Sequence, residues 1–286
     1  MLTQDMYRDL VRASLAEDVG TGDATTLAVV PETMKAEAIM LAKEDCVCAG
    51  LPVAEAVFRE LDPAIVFTAL AKEGEYCPAG TVIARISGQA RALLTGERTA
   101  LNFIQRLSGI ATMSRLYQHA VGHSKTKILD TRKTTPGWRL LEKYAVVTGG
   151  ATNHRIGLYD RIMIKDNHRE LAKVAGGKDS IAWAVQRCRE SYPDLEIEVE
   201  ADSFDDVRAA AAAGVDYILL DNMTTVQMAE AVRLIAGRAK TEASGGITLK
   251  RIPEIAAIGV DYISAGALTH SVKSADISLD IVPVKP

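Results

Sequence analysis

The feature that most limits what this chain can fold into is a repeated unit. Residues 211–218 read Ala-Ala-Ala-Gly-Val-Asp-Tyr-Ile, and residues 256–263 read Ala-Ala-Ile-Gly-Val-Asp-Tyr-Ile. In both, an alanine-rich helix stops at a glycine, which tolerates the left-handed conformation, and a short apolar strand follows. The same rhythm runs through the second half of the chain. Apolar strand candidates at 127–131, 161–165, 196–200, 217–221, 241–244 and 262–265 alternate with helical segments. At least six such units in succession predict a parallel α/β barrel, complete or incomplete. A doubly wound sheet is the alternative, but no Gly-x-Gly-x-x-Gly turn follows the first strand.

The first part of the chain reads differently. Segments 36–42, 65–70 and 81–87 alternate or carry β-branched residues, with turns such as Pro78-Ala79-Gly80 between them. Residues 97–117 read as helical, with a break near Gly109. A length of 286 residues suits two domains. We expect an N-terminal domain over 1–112, to which the tail 271–286 returns, and a catalytic barrel over 113–270.

Several function classes are excluded early. No run of 18 apolar residues is present, so no membrane span is expected. The first residues carry neither a basic head nor an apolar core, so no secretory signal is read and a cytoplasmic location is expected. Cys46, Cys48, Cys77 and Cys188 match no zinc spacing and no redox pair, and read as reduced thiols used as small apolar residues. A net charge of −4 argues against nucleic acid as a partner. That average hides an asymmetry. Residues 115–169 hold eleven Lys/Arg against four Asp/Glu, and residues 190–230 hold eleven Asp/Glu against one Arg. Facing one cleft, the two blocks would suit a polyanion with a divalent cation.

Barrel chemistry sits at the C-terminal ends of the strands, and these ends are polar in succession. Asp130-Thr131-Arg132-Lys133 follows the first, and Lys165-Asp166-Asn167-His168 the second. The next two end in Glu200 and in Asp221-Asn222, and the last two in Ser244-Gly245-Gly246 and Ser264-Ala265-Gly266. Arg132, Lys133, Arg155 and Lys165 beside an apolar core call for a ligand with more than one anionic group. His154 is either a satisfied structural histidine or a ligand contact. Glu200 and Asp221 are placed to take ribose hydroxyls or to hold Mg²⁺, partly through water. Glu198 shares its side-chain direction with Glu200 but lies deeper. Asp216 and Asp261 precede their strands, on the stability face, and read as structural. Ser244-Gly245-Gly246, ahead of a helix from Leu249, reads as a phosphate loop, and Gly266 repeats the arrangement.

Taken together these stretches resemble the quinolinate phosphoribosyltransferase family, also called carboxylating nicotinate-nucleotide pyrophosphorylases. The likeness runs from Glu17-Asp18-Val19-Gly20-Thr21-Gly22-Asp23 through Glu97-Arg98-Thr99-Ala100-Leu101-Asn102 and 130–137. It continues through Gly149-Gly150-Ala151-Thr152-Asn153-His154-Arg155 and 160–168, and then through 196–200, 219–222, 243–247 and 263–268. The resemblance implies an N-terminal α/β sandwich-like domain and an open α/β barrel. It implies transfer from phosphoribosyl pyrophosphate to quinolinate with decarboxylation, Mg²⁺ as cofactor, and a homodimer in which Arg98 crosses to the partner's site. It implies that Arg98, Thr131, Arg132, Lys133, His154, Arg155 and Lys165 hold quinolinate. Glu200, Asp221, Ser244, Gly245, Gly246, Ala265, Gly266 and Ala267 would take phosphoribosyl pyrophosphate. Lys133, Lys165, Glu200 and Asp221 would be catalytic. Three alternatives stay open: a molybdate-transport-associated paralogue of the same fold, a nicotinate or nicotinamide transferase, and a non-catalytic polyanion-binding protein.

Overall fold

The computed structural model describes residues 2–174 and 180–284. In chain order its strands are β1 (Lys35–Ala42), β2 (Cys46–Val47), β3 (Val66–Ala69), β4 (Tyr76–Cys77), β5 (Val82–Gln89) and β6 (Lys127–Leu129). There follow β7 (Ile162–Ile164), β8 (Ile197–Ala201), β9 (Tyr217–Asp221), β10 (Lys240–Ser244), β11 (Tyr262–Ser264) and β12 (Ile277–Pro283). Two compact units form. One comprises Met1–Arg115, Thr134–Gly150 and Leu268–Pro286; the other comprises Leu116–Lys133 and Ala151–Ala267.

The first unit holds an antiparallel sheet ordered β12-β1-β5-β3 and a small β2-β4 pair. Strand β1 alternates between exposed and buried positions, with Ala36, Ala38, Met40 and Ala42 buried. That is the pattern of a sheet with one face on a core. On one side of β1, the tail strand β12 pairs from Ala36↔Pro283 to Ala42↔Ile277. Cys46, Cys48 and Cys77 are buried free thiols, and Cys188 is half-buried. Burial pushes the Cys46 thiol up to about 11, which keeps it protonated and unreactive.

The segment Thr134–Gly150 belongs to this unit, and its anchors are specific. Arg106 meets the buried Glu142 at 2.8 Å, Trp138 stacks on Phe103 at 4.8 Å between ring centroids, and Tyr144 hydrogen-bonds Glu73. Helix Ala90–Ala120 is unbroken, in contrast to the break expected at Gly109. Gly109 serves close approach instead, since an added Cβ would lie 2.2 Å from the Lys273 carbonyl oxygen. None of the helices is long and apolar enough to cross a membrane, among the described residues.

The second unit is built on a parallel sheet ordered β6-β11-β10-β9-β8-β7. Its end strands β6 and β7 are not paired with each other among the described residues, so the barrel is open. Thr152 runs parallel to β6, with its amide on the Ile128 carbonyl and its own carbonyl accepting from Asp130. The glycines ending the two repeated helices have positive φ, 67° at Gly214 and 88° at Gly259. The aspartate after each glycine fastens the start of a neighbouring strand. Asp216 Oδ2 accepts from the Ile197 amide at 2.8 Å, and Asp261 Oδ2 accepts from the Thr241 amide at 2.9 Å.

Glycine-to-alanine exchange in a helix interior ordinarily stabilises by roughly 1 kcal/mol. At Gly109 the sign should reverse. Gly109→Ala is expected to cost about 1–3 kcal/mol through overpacking, read as a lowered midpoint in denaturant unfolding.

Candidate active site

Strand register sets which side chains share the barrel interior. Ser244 aligns with Asp221, Glu200 and Glu242 both align with Leu219, and Glu198 aligns with Met163 and Tyr217. Paired residues of a parallel sheet point to one face. Glu200, Asp221, Ser244, Glu198 and Glu242 therefore share one face. Glu200, Asp221 and Ser244 are half-buried at their strand ends, whereas Glu198 and Glu242, each two residues earlier on its strand than Glu200 or Ser244, are fully buried. The opposite face of these strands is apolar and fully buried, through Val199, Ile218, Leu220 and Ala243.

The cations approach these strand ends from the loops. Thr131 Oγ1 accepts from the Lys133 amide at 3.1 Å, turning the chain just past β6. Arg155 donates from Nη1 to the Arg161 carbonyl at 3.0 Å. Burial, then the charge of Arg132, lowers the Arg155 pKa, so the two guanidiniums are close enough to repel. Lys165 Nζ pairs with Glu200, joining the ends of β7 and β8. Arg98 is exposed on helix Ala90–Ala120, in the first unit.

The glycine loop is shaped by Asn222, which takes the left-handed conformation at φ 55° and hydrogen-bonds Asp221 Oδ2 at 2.6 Å. Gly245 has φ 91°, and a Cβ there would lie 2.2 Å from Asn222 Oδ1. Both facts demand glycine. The helix expected from Leu249 opens instead as a three-ten turn, Leu249–Arg251, before helix Ile252–Ile258. At the next strand the Ala265 amide donates to the Leu129 carbonyl at 3.0 Å. Half-buried Gly266 and Ala267 follow it.

His154 is buried, 6% exposed, and its amide donates to Asp130 Oδ1 at 2.8 Å. Its Nε2 lies 3.1 Å from Glu198 and 3.4 Å from Glu242. Burial disfavours the imidazolium, and the two glutamates favour it. Burial, then the charge of Glu242, raises the Glu198 pKa. Glu242 escaped the sequence reading. Its signal was available, because it stands two residues before Ser244 and so shares its face.

Apart from Arg98, the residues singled out from sequence thus lie in one unit, on the strand ends and loops of one sheet. The chemistry is that of an anion site: cations on one side, carboxylates beside them, and a glycine turn with open backbone amides. The family description "Quinolinate phosphoribosyl transferase, N-terminal domain" matches residues 23–108, and its C-terminal counterpart matches residues 110–280. A protein of Synechocystis named "Probable nicotinate-nucleotide pyrophosphorylase [carboxylating]" is 47% identical, over 94% of this chain and 90% of its own length. One of the same name from Bacillus subtilis is 45% identical, over 96% of this chain and 93% of its own. The crystal structure of NadC from Streptococcus pyogenes has a TM-score of 0.94 at 42% identity, covering 100% of this chain and 99% of that one. Matched in both of its parts, this chain belongs to the quinolinate phosphoribosyl transferase family.

Proposed function

We propose that this protein transfers the phosphoribosyl group of phosphoribosyl pyrophosphate to quinolinate, with loss of CO₂, to give nicotinate mononucleotide for NAD biosynthesis. One observation carries the reading: cations, carboxylates and a glycine turn gather on the strand ends of a single parallel sheet. The names of full-length relatives support the biosynthetic reaction over the transport-linked paralogue. A polyanion-binding protein would have no need of Glu200, Asp221 and the glycine turn at the ends of neighbouring strands.

In this reading Arg132 and Arg155 pair with the two carboxylates of quinolinate, helped by Thr131, Lys133 and Lys165, while His154 acts through the Arg155 amide it accepts. Bidentate pairing fixes a planar diacid, and positioning is their main contribution. The diacid also relieves the repulsion between the two arginines. Ser244, Gly245, Gly246, Ala265, Gly266 and Ala267 offer backbone amides to phosphate. Glu200 and Asp221 are hard oxygen donors at neighbouring strand ends, which fits Mg²⁺. When bound there, Mg²⁺ would neutralise pyrophosphate charge. The pyridine nitrogen forms a bond to ribose C1 as the bond from C1 to pyrophosphate oxygen breaks. Lys133 and Lys165 stabilise the charge on the departing group. The positive ring nitrogen then stabilises the electron pair left at C2 as CO₂ departs, and that carbon takes up a proton. The protein acts as a cytoplasmic homodimer, with Arg98 entering the partner's site.

The direct test combines purified protein with quinolinate, phosphoribosyl pyrophosphate and Mg²⁺, with nicotinate replacing quinolinate in parallel. Nicotinate mononucleotide and CO₂ are expected from quinolinate alone; product from nicotinate alone would discard the diacid assignment. Arg132→Ala and Arg155→Ala should each lower kcat/KM for quinolinate roughly 10- to 100-fold, since charge-assisted bonds are worth about 1.5–3 kcal/mol.

Gly245→Ala should raise KM for phosphoribosyl pyrophosphate, because a positive φ and the Asn222 side chain both oppose a Cβ. An unchanged KM in steady-state kinetics would remove the glycine turn from the phosphate site. Sharing of Arg98 predicts that inactive Arg98→Ala and Lys165→Ala proteins regain activity when mixed; no recovery after verified subunit exchange counts against it.

A further inference from the structure

The functional reading leaves one buried cluster unused. Glu198 and Glu242 are fully buried, and their carboxylate oxygens have no well-formed hydrogen bond among the described residues. Their nearest basic groups are His154 Nε2, at 3.1 and 3.4 Å, and Arg161, whose Nη1 lies 3.8 Å from Glu198. Two carboxylates in such an interior are costly, and apolar residues would pack there more cheaply. Their presence calls for a role in what they touch.

The three groups approach within 4.8 Å of one another, close enough for a small cation. The tautomer argues otherwise. His154 Nδ1 accepts the Arg155 amide proton at 2.7 Å. An accepting Nδ1 leaves the ring proton on Nε2, the nitrogen nearest the two carboxylates, where it occupies the lone pair a metal would need. The cluster is therefore a polar clamp, two carboxylates set against one edge of the imidazole.

What the clamp holds is the turn bearing Arg155. Residues 153–161 contain no helix or strand. Asp130 beyond β6 holds the His154 amide, while Glu198 on β8 and Glu242 on β10 face its ring. These anchors come from alternate strands of the sheet, the layer arrangement of barrel interiors. The ring in turn receives the Arg155 amide.

We infer that Glu198 and Glu242 are positioning residues for diacid recognition: by gripping His154 from two strands, they fix the turn that aims Arg155 at quinolinate. The inference rests on the proposed function. It differs from a purely electrostatic role, in which removing a buried negative charge would tighten binding of a diacid.

The test is steady-state kinetics on the purified dimer with both substrates varied, beginning with the wild type. Glu242→Leu removes the carboxylate at similar volume. It is expected to raise KM for quinolinate roughly 10- to 100-fold, the scale of effect of a misplaced binding group. KM for phosphoribosyl pyrophosphate should stay within about twofold, since the turn 153–161 carries none of its groups and the backbone of β10 stays paired to both neighbours through Ala243. Glu242→Gln keeps an acceptor for the imidazole N–H and should fall between wild type and the leucine variant. It carries the same test if the leucine variant does not fold. A parallel rise in both KM values would reduce the cluster to a support of the barrel and overturn the inference. So would an unchanged or lowered KM for quinolinate in a folded variant. A wild type that does not turn over quinolinate overturns the functional reading and this inference together; an active wild type with unresponsive variants overturns the clamp alone.

Discussion

Every strand of the parallel sheet obeys one constraint: one face lies under helices and must be apolar, and only the other is free to be polar. Val199, Ile218, Leu220 and Ala243 meet it at zero exposure. Their neighbours in sequence then fall on the open interior, where depth decides what a polar group can do. Glu200 and Asp221, at the rim, are half-buried and can exchange partners with water or a ligand. Glu198 and Glu242, deeper and fully buried, have lost that freedom and need a fixed polar partner. His154 supplies it from the loop beside β6. The gradient from rim to floor thus separates groups suited to binding from groups suited to holding the binders.

The cations obey the complementary rule. Arg155 sits beside Arg132, and each is partly withdrawn from water. Such a pair is held against its own repulsion by backbone and by acids near it. Arg155 reaches the Arg161 carbonyl; Arg161 itself lies over the Tyr217 ring at 4.0 Å and near Glu196 and Glu198. Lys165 turns to Glu200. In the proposed reading, a ligand with two carboxylates would complete this arrangement without rebuilding it.

Much of this was legible in the chain because it is local. The six barrel strands, the glycine stops and the roles of Asp216 and Asp261 follow from short-range pattern, and the structure bears them out. The rim residues were legible for the same reason, since each stands at the end of a short strand pattern. What escaped depends on partners distant in sequence. Gly109 looked like a helix break because its reason for being glycine, the Lys273 carbonyl, lies far along the chain. Nor does local pattern tell that residues 134–150 group with the first unit, since their anchors are Arg106, Phe103 and Glu73. Glu242 gives only the period-two spacing to Ser244 in the chain; its burial against His154 comes from a loop nearly ninety residues earlier.

The repeated unit shows how the two ends of such a strand divide their work. At the start, both copies are alike: glycine with positive φ, then an aspartate whose carboxylate fastens the amide of an adjacent strand. At the far end the copies part. One finishes in Asp221-Asn222, with a carboxylate at the mouth, and the other in Ser264-Ala265-Gly266, with little but backbone. The fastening at the start needs the same geometry in every unit, so identical residues suffice there. The mouth needs different chemistry from each strand, and nothing in the sheet constrains those side chains once the fastening is made. Similarity at one end is therefore what allows difference at the other.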